Sequence, residues 1–225
     1  MNYWNKVAHI YNFTRLEERE AYEQMYAHIR TAIQGKEVLE LATGTGIIAF
    51  HTAEAAHSYL ATDYAEEMLR VANNDKQFNR LRAKGVNLRF EQADATCLPY
   101  EDGQFDVVLI ANALHIMPDP DAAISEIKRV LRPDGMLIAP TYVHGENTLR
   151  QRLKARLMAL TGFREYAHWT ETAYHDYLQS HGLTVAHHAL LPASFPLAYT
   201  ECYSISSAFN ADINSAEKAS SVSGG

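Results

Sequence analysis

Val38-Leu39-Glu40-Leu41-Ala42-Thr43-Gly44-Thr45-Gly46 is the stretch that decides the fold. Residues 38–41 form a short β-prone run, and the glycines after it break the strand and open a helix. Glycine lets the backbone approach a ligand closely, and the first turn of a helix offers N–H groups with no partner inside the helix. Working outward, β-rich runs at 37–41, 58–62, 86–92, 105–111, 136–142 and 183–190 alternate with helical stretches at 46–56, 65–82, 121–131 and 148–160. Ahead of them, Tyr22, Met25, Tyr26, Ile29 and Ile33 recur at helical spacing, with Glu17, Glu18 and Glu20 near the positive end of the dipole. That pattern predicts an amphipathic helix over 16–33. Strands and helices alternating at this interval predict an α/β fold, doubly wound, with a mostly parallel sheet covered on both faces.

The 225 residues are 47% hydrophobic and 21% charged, enough to close a core without metal or disulfide staples. Lys plus Arg number 20 against 27 Asp plus Glu, a net charge of −7, so the basic stripe that phosphate-backbone binding needs is missing and nucleic acid is not the expected partner. Two cysteines, Cys97 and Cys202, are too few and too far apart for a disulfide framework or a cysteine zinc site. The 11 His are scattered, and the adjacent pair His187 and His188 points to opposite faces of a strand, so no metal site is expected. The longest apolar run, 107–111, is far short of a membrane span, and residues 1–10 lack the apolar stretch of a signal peptide. The expected location is cytoplasmic. One domain is expected over 1–209 and a disordered tail over 210–225, where bulky apolar side chains are nearly absent. Residues 1–34, with the helix, and 143–181 exceed what the sheet needs and are candidate lid segments over the C-terminal strand ends.

Gly44-Thr45-Gly46-Ile47-Ile48-Ala49 fits the G-x-G-x-x-A dinucleotide fingerprint, with Asp63 at the distance of a ribose-binding acid. Three features argue for a different ligand. Glu40 sits inside the turn, where it repels a pyrophosphate and attracts a cationic amino group. Asp94, in Gln92-Ala93-Asp94-Ala95, closes the third strand and offers a second acceptor, suited to an exocyclic amine. Lys128-Arg129-Val130-Leu131-Arg132-Pro133-Asp134-Gly135-Met136-Leu137 is a helix stopped by proline and a turn into the fifth strand. Carboxylates at three successive strand ends suit a ligand with an ammonium group, a ribose diol and an adenine.

With these motifs in order, the chain resembles the class I S-adenosylmethionine-dependent methyltransferases, in the small-molecule branch of the ubiquinone and menaquinone C-methyltransferases (methyltransferase type 11). The likeness runs over about 8–190. Ala8-His9-Ile10-Tyr11-Asn12 is similar to the branch's A-x-x-Y-D element, with Asn for Asp; residues 39–46 are similar to its first motif, with Ala42 where many members have glycine. Asp63-Tyr64-Ala65-Glu66-Glu67-Met68-Leu69 is similar to its second motif, and 105–120 to its fourth-strand motif ending in Leu-His-x-x-Pro-Asp-Pro. The resemblance implies a seven-stranded Rossmann-like sheet with an N-terminal helical lid and an insertion between strands 5 and 6. It implies S-adenosylmethionine as cofactor, with Glu40 on the methionyl amine, Asp63 on the ribose, Tyr64 and Met68 on the adenine faces and Asp94 on its amine. Tyr11, Ala42, Thr43, Gly44, Gly46, Ala95 and Asn112 complete the cofactor-binding set it implies.

Two signatures are absent. Asn112-Ala113-Leu114-His115 is not the Asn/Asp-Pro-Pro-aromatic sequence of amide and base-nitrogen methylation, and there is no Pro-Cys nucleophile of the cytosine C5 type. His115 is the candidate general base, against the plainer alternative of a residue that packs the strand end or binds the cofactor through its backbone. Tyr3, Trp4, Tyr11 and Phe13 are bunched ahead of the first helix, as a lid or as edge packing. Arg150, Arg152, Lys154, Arg156 and Arg164 alternate with leucines as a solvated helix, with an anionic acceptor or a membrane surface as the other reading. The expected function is methyl transfer to a small-molecule N, O, S or activated-carbon nucleophile. The alternatives are a phospholipid headgroup methyltransferase, an NAD-dependent oxidoreductase and a non-catalytic S-adenosylmethionine-binding protein.

Overall fold

Parallel pairing organises the molecule, which the computed structural model describes over residues 3–8, 18–144 and 164–204. Strands β1 (Glu37–Leu41), β2 (Ser58–Asp63), β3 (Leu88–Gln92), β4 (Phe105–Ile110) and β5 (Leu131–Ile138) lie in the order β3-β2-β1-β4-β5, all parallel. The reversal of order between β1 and β4 makes their C-terminal ends the switch point at which open α/β sheets take ligands. The far edge is antiparallel. β7 (Leu183–Leu191) pairs with β8 (Leu197–Ser204), and β8 pairs in turn with β5 and with the short β6 (Thr141–Tyr142). Ile138 faces Glu201 and Thr141 faces Ala198 in one unbroken register, so β6 continues β5 beyond Pro140 and the eight segments form a seven-stranded layout.

The helices are α1 (Tyr3–Val7), α2 (Arg19–Ala32), α3 (Ile47–Thr52), α4 (Glu66–Asn73), α5 (Lys76–Ala83), α6 (Pro120–Val130) and α7 (Glu171–Ser180). Successive side chains of a strand leave opposite faces, and β4 shows the consequence. Val107 and Leu109 join the cluster under α2 and α3, with Met25 and Ile29. Val108 and Ile110 join the cluster under α6 and α7, with Ile124, Ile127 and Leu178. Covering a sheet on both faces requires such uninterrupted apolar strands, each buried Leu, Ile or Val contributing about 1.5–3 kcal/mol.

Several local expectations are revised. The helix expected over 65–82 is two helices, because Asp75 caps the second, its Oδ1 accepting from the Gln77 N–H at 2.7 Å. The turn expected ahead of the fifth strand lies within β5: Leu131 pairs with Phe105 and Met136 with Val107, so 132–135 bulge out of the ladder. Arg132, in the bulge, binds Asp106 at 2.5 Å and Glu37 at 2.7 Å, tying three strands at their N-terminal ends. β8 and α7 were not expected. The helix at 148–160 and the tail at 210–225 lie outside the described residues, as do residues 145–163 of the 143–181 insertion. Among the described residues, no helix is long and apolar enough to cross a membrane.

Candidate functional site

A cavity of about 550 Å³ opens at the C-terminal ends of β1, β2, β3 and β4. That volume is within the range of small-molecule and cofactor pockets. Its floor is the turn after β1. Ala42 has φ +53° and Gly44 φ +59°, and Gly46, at φ +79°, stands at the N-cap of α3. The Thr43 N–H donates to the Thr62 carbonyl at 2.8 Å, fixing the turn against β2.

Glu40 ends β1 with only 1% of its surface exposed, yet it lines the cavity. Its Oε2 accepts from the Tyr59 hydroxyl at 2.9 Å. Burial and the nearby Glu40 charge drive the Tyr59 pKa well above its ordinary value, so the phenol stays a donor. Asp63, 9% exposed at the end of β2, accepts from the Gly44 N–H through Oδ2 at 2.8 Å and from the Ala65 N–H through Oδ1 at 2.7 Å. Burial raises its pKa, and the two amides, which favour the charged form, offset part of the rise. Each carboxylate oxygen has two acceptor positions, so both can accept a further hydrogen bond. Asp94 is exposed, its Oδ1 accepting from the Thr96 N–H at 2.9 Å and hydroxyl at 2.7 Å.

Of the residues expected to hold a cofactor, Glu40, Ala42, Thr43, Gly44, Asp63, Tyr64, Met68, Asp94, Ala95 and Asn112 all line this one cavity. Tyr11 lies outside the described residues. Gly46 is not in the lining, and its need for glycine comes from packing: a Cβ there falls 2.7 Å from the Phe90 ring and 3.1 Å from Phe50.

His115 is also missing from the lining. It is buried, with Nδ1 3.0 Å from the Thr141 hydroxyl, and burial, then His144 and His168, push its pKa down to about 4. Its backbone carbonyl accepts from the Tyr166 and Ala167 N–H groups at 2.8 and 3.1 Å, anchoring the chain that brings Arg164 and Tyr166 to the cavity. His115 is thus a buried side chain at the strand end, outside the cavity lining.

The strand pattern did not identify several other parts of the wall. Tyr3 and Trp4 of α1 line it, held over α4 where the Asn5 side chain accepts from the Glu67 N–H at 3.2 Å. Ile116, Met117, Pro118 and Asp119 close the β4 side. Behind Asn112, whose φ is +53°, runs a partly buried hydrogen-bonded chain: Asn112 Nδ2 donates to Tyr22 at 3.1 Å, Tyr22 and Tyr142 hydroxyls are 3.3 Å apart, and Tyr142 donates to Glu18. Polar residues scattered over 18, 22, 112 and 142 carry no local sequence signal of such a chain.

Residues 39–139 match the family model described as "Methyltransferase domain". Demethylmenaquinone methyltransferase of Thermus thermophilus is 39% identical over 105 residues, 46% of this chain and 46% of that protein. The ubiquinone/menaquinone biosynthesis C-methyltransferase of Shewanella frigidimarina is 32% identical over 133 residues, 56% of this chain and 50% of that protein. The chain thus matches these curated relatives over about half their length. In structure, the chain is similar to the Burkholderia thailandensis 1,6-didemethyltoxoflavin-N1-methyltransferase with bound 1,6-didemethyltoxoflavin and S-adenosylhomocysteine. The TM-score is 0.67 at 18% identity, covering 88% of this chain and 84% of that one, a likeness of fold.

Proposed function

We infer that this chain, a class I S-adenosylmethionine-dependent methyltransferase by its motifs and fold, transfers a methyl group from S-adenosylmethionine to a small-molecule nucleophile. One observation carries the reading: Glu40, Asp63 and Asp94, from the ends of three adjacent strands, line a single cavity. The residues fit the cofactor. A carboxylate buried as deeply as Glu40 in a cavity wall favours a cationic group opposite it, the methionyl amine, over a pyrophosphate. Asp63 retains acceptor positions for ribose hydroxyls, and Asp94 at the exposed end receives the adenine amine. Met68 and Tyr64, both in the lining, supply apolar faces for the ring. The Thr43 hydroxyl, buried in the lining with no hydrogen-bond partner among the described residues, is a further polar contact for the ligand.

When bound, S-adenosylmethionine supplies an already electrophilic methyl group. The chain's own contribution is therefore to hold, align and dry the reactants, an effect worth about 7–11 kcal/mol, with no dedicated acid or base required. The acceptor is gripped on the side framed by Ile116, Met117, Arg164 and Tyr166, under the aromatic cover of Tyr3 and Trp4. We assign 1–34 and 143–181 to lid roles over one domain spanning 1–209, in a cytoplasmic protein that does not use nucleic acid as substrate. Calorimetric titration tests the reading: S-adenosylmethionine and S-adenosylhomocysteine bind, and NAD binds more weakly than either. Tighter binding of NAD would overturn it. Methylation of metabolites in a cell extract, read by mass, then identifies the acceptor.

A further inference from the structure

Helix α7 and strand β7 bring together three metal-binding side chains away from the cavity. Glu171 lies in the first turn of α7 and His175 one turn further on, so the two share a helix face. His188 reaches them from β7, its Nδ1 3.3 Å from Glu171 Oε1 and its ring 5.0 Å from that of His175 in an edge-to-face arrangement. One donor atom from each residue falls within 4.8 Å of the other two. His187, the neighbour of His188, turns to the opposite face of the sheet, where it meets His28 and Tyr199. The pair thus faces opposite ways, as alternation along a strand requires. The fold lays a helix carrying Glu171 and His175 across one of those faces, a juxtaposition of residues distant in sequence.

We propose that Glu171, His175 and His188 form a binding site for a divalent transition-metal ion, best suited to zinc. Two imidazoles and a carboxylate are a zinc donor set, completed to four by water. Hard magnesium and calcium prefer all-oxygen shells, so this chemistry selects against them. Tetrahedral bonds of about 2.0–2.1 Å place donors roughly 3.3 Å apart, so modest side-chain rotation closes the site. The backbone need not move, because α7 is capped by Thr170 and His188 lies inside the β7–β8 ladder, opposite Thr200. The Thr200 hydroxyl, 3.4 Å from His175 Nε2, steers that ring from behind. His188 is exposed and Glu171 half-buried, which leaves an entry path from solvent. None of the three residues lines the cavity, so the site stands apart from methyl transfer. A bound ion would pin α7 to the antiparallel edge of the sheet.

Calorimetric titration of the full chain with zinc chloride, paired with thermal unfolding, tests the proposal. One equivalent of zinc binds and raises Tm. Losing an outer-shell partner alone typically weakens a metal site about 10–100-fold, so His188→Ala and Glu171→Gln lose at least that much affinity and the rise in Tm. His187→Ala keeps both. Cobalt loaded in place of zinc shows tetrahedral d–d absorption that His188→Ala abolishes. Zinc bound equally by the wild type and His188→Ala, or no uptake by the wild type at submillimolar free zinc, overturns the proposal.

Discussion

The floor and the rim of the cavity are built on different principles. On the floor, Glu40 and Asp63 are nearly inaccessible to water, and their oxygens are already fixed by the Tyr59 hydroxyl and by the Gly44 and Ala65 amides. On the rim, Tyr64 is 62% exposed, Asp94 and Arg164 are exposed, and Tyr166 has more than half its surface in water. Groups held before the ligand arrives lose little entropy on binding, whereas exposed groups must be ordered by it. In the proposed function, the floor therefore decides whether the cofactor binds, and the rim adapts to what is brought beside it.

The largest expected effect tests the floor. Glu40→Gln keeps the shape and removes the charge, and because leaving one member of a buried ion pair unmatched costs about 3–5 kcal/mol, affinity for S-adenosylhomocysteine falls by at least about 100-fold. Calorimetry that finds the affinity unchanged would break the distinction between floor and rim. Next comes the pH dependence of stability through His115. Its folded pKa of about 4 lies below the unfolded 6.5, so the unfolded chain binds more protons between these values. This contribution is complete above pH 6.5 and declines as pH falls toward 4, by no more than about 3 kcal/mol. Urea unfolding across that window shows the slope, and His115→Gln flattens it.

Gly46→Ala should cost about 1–3 kcal/mol, from positive φ and contact with Phe90, and lower Tm by several degrees. Phe90→Leu in the same chain restores part of the loss, which separates packing from ligand contact. The smallest effect lies on the rim. Asp94→Ala weakens cofactor binding only about 2- to 10-fold, the worth of one exposed hydrogen bond. A loss as large as that of Glu40→Gln would move Asp94 to the floor.

The same division governs what the sequence could disclose. Floor residues are contiguous with strands whose apolar runs and glycine turn fix them locally, so β1, Glu40 and Asp63 were legible, and on the rim only Asp94, which closes β3, was legible in the same way. Rim and edge depend on distant parts of the chain. Tyr59 is an ordinary strand residue until the parallel register sets it beside Glu40. β8 reads weakly because Thr200 and Glu201 interrupt its apolar residues, and prolines at 192 and 196 suggest a loop. α7 carried a signal that could have been used: Thr170 as cap, Tyr174, Tyr177 and Leu178 at helical spacing, and Gly182 past the end.

The place of β8 has a consequence for synthesis. It is made after β5, β6 and β7, yet lies between them, so those strands emerge before the partner that joins them exists. Until residues 197–204 leave the ribosome, β5 presents an open row of N–H and C=O groups, a template for pairing with another chain. The half that carries the cavity floor can assemble earlier, since Glu40 and Asp63 both precede β4. Ligand present during translation would then stabilise a half-built domain and shorten its exposure to neighbours on the same polysome.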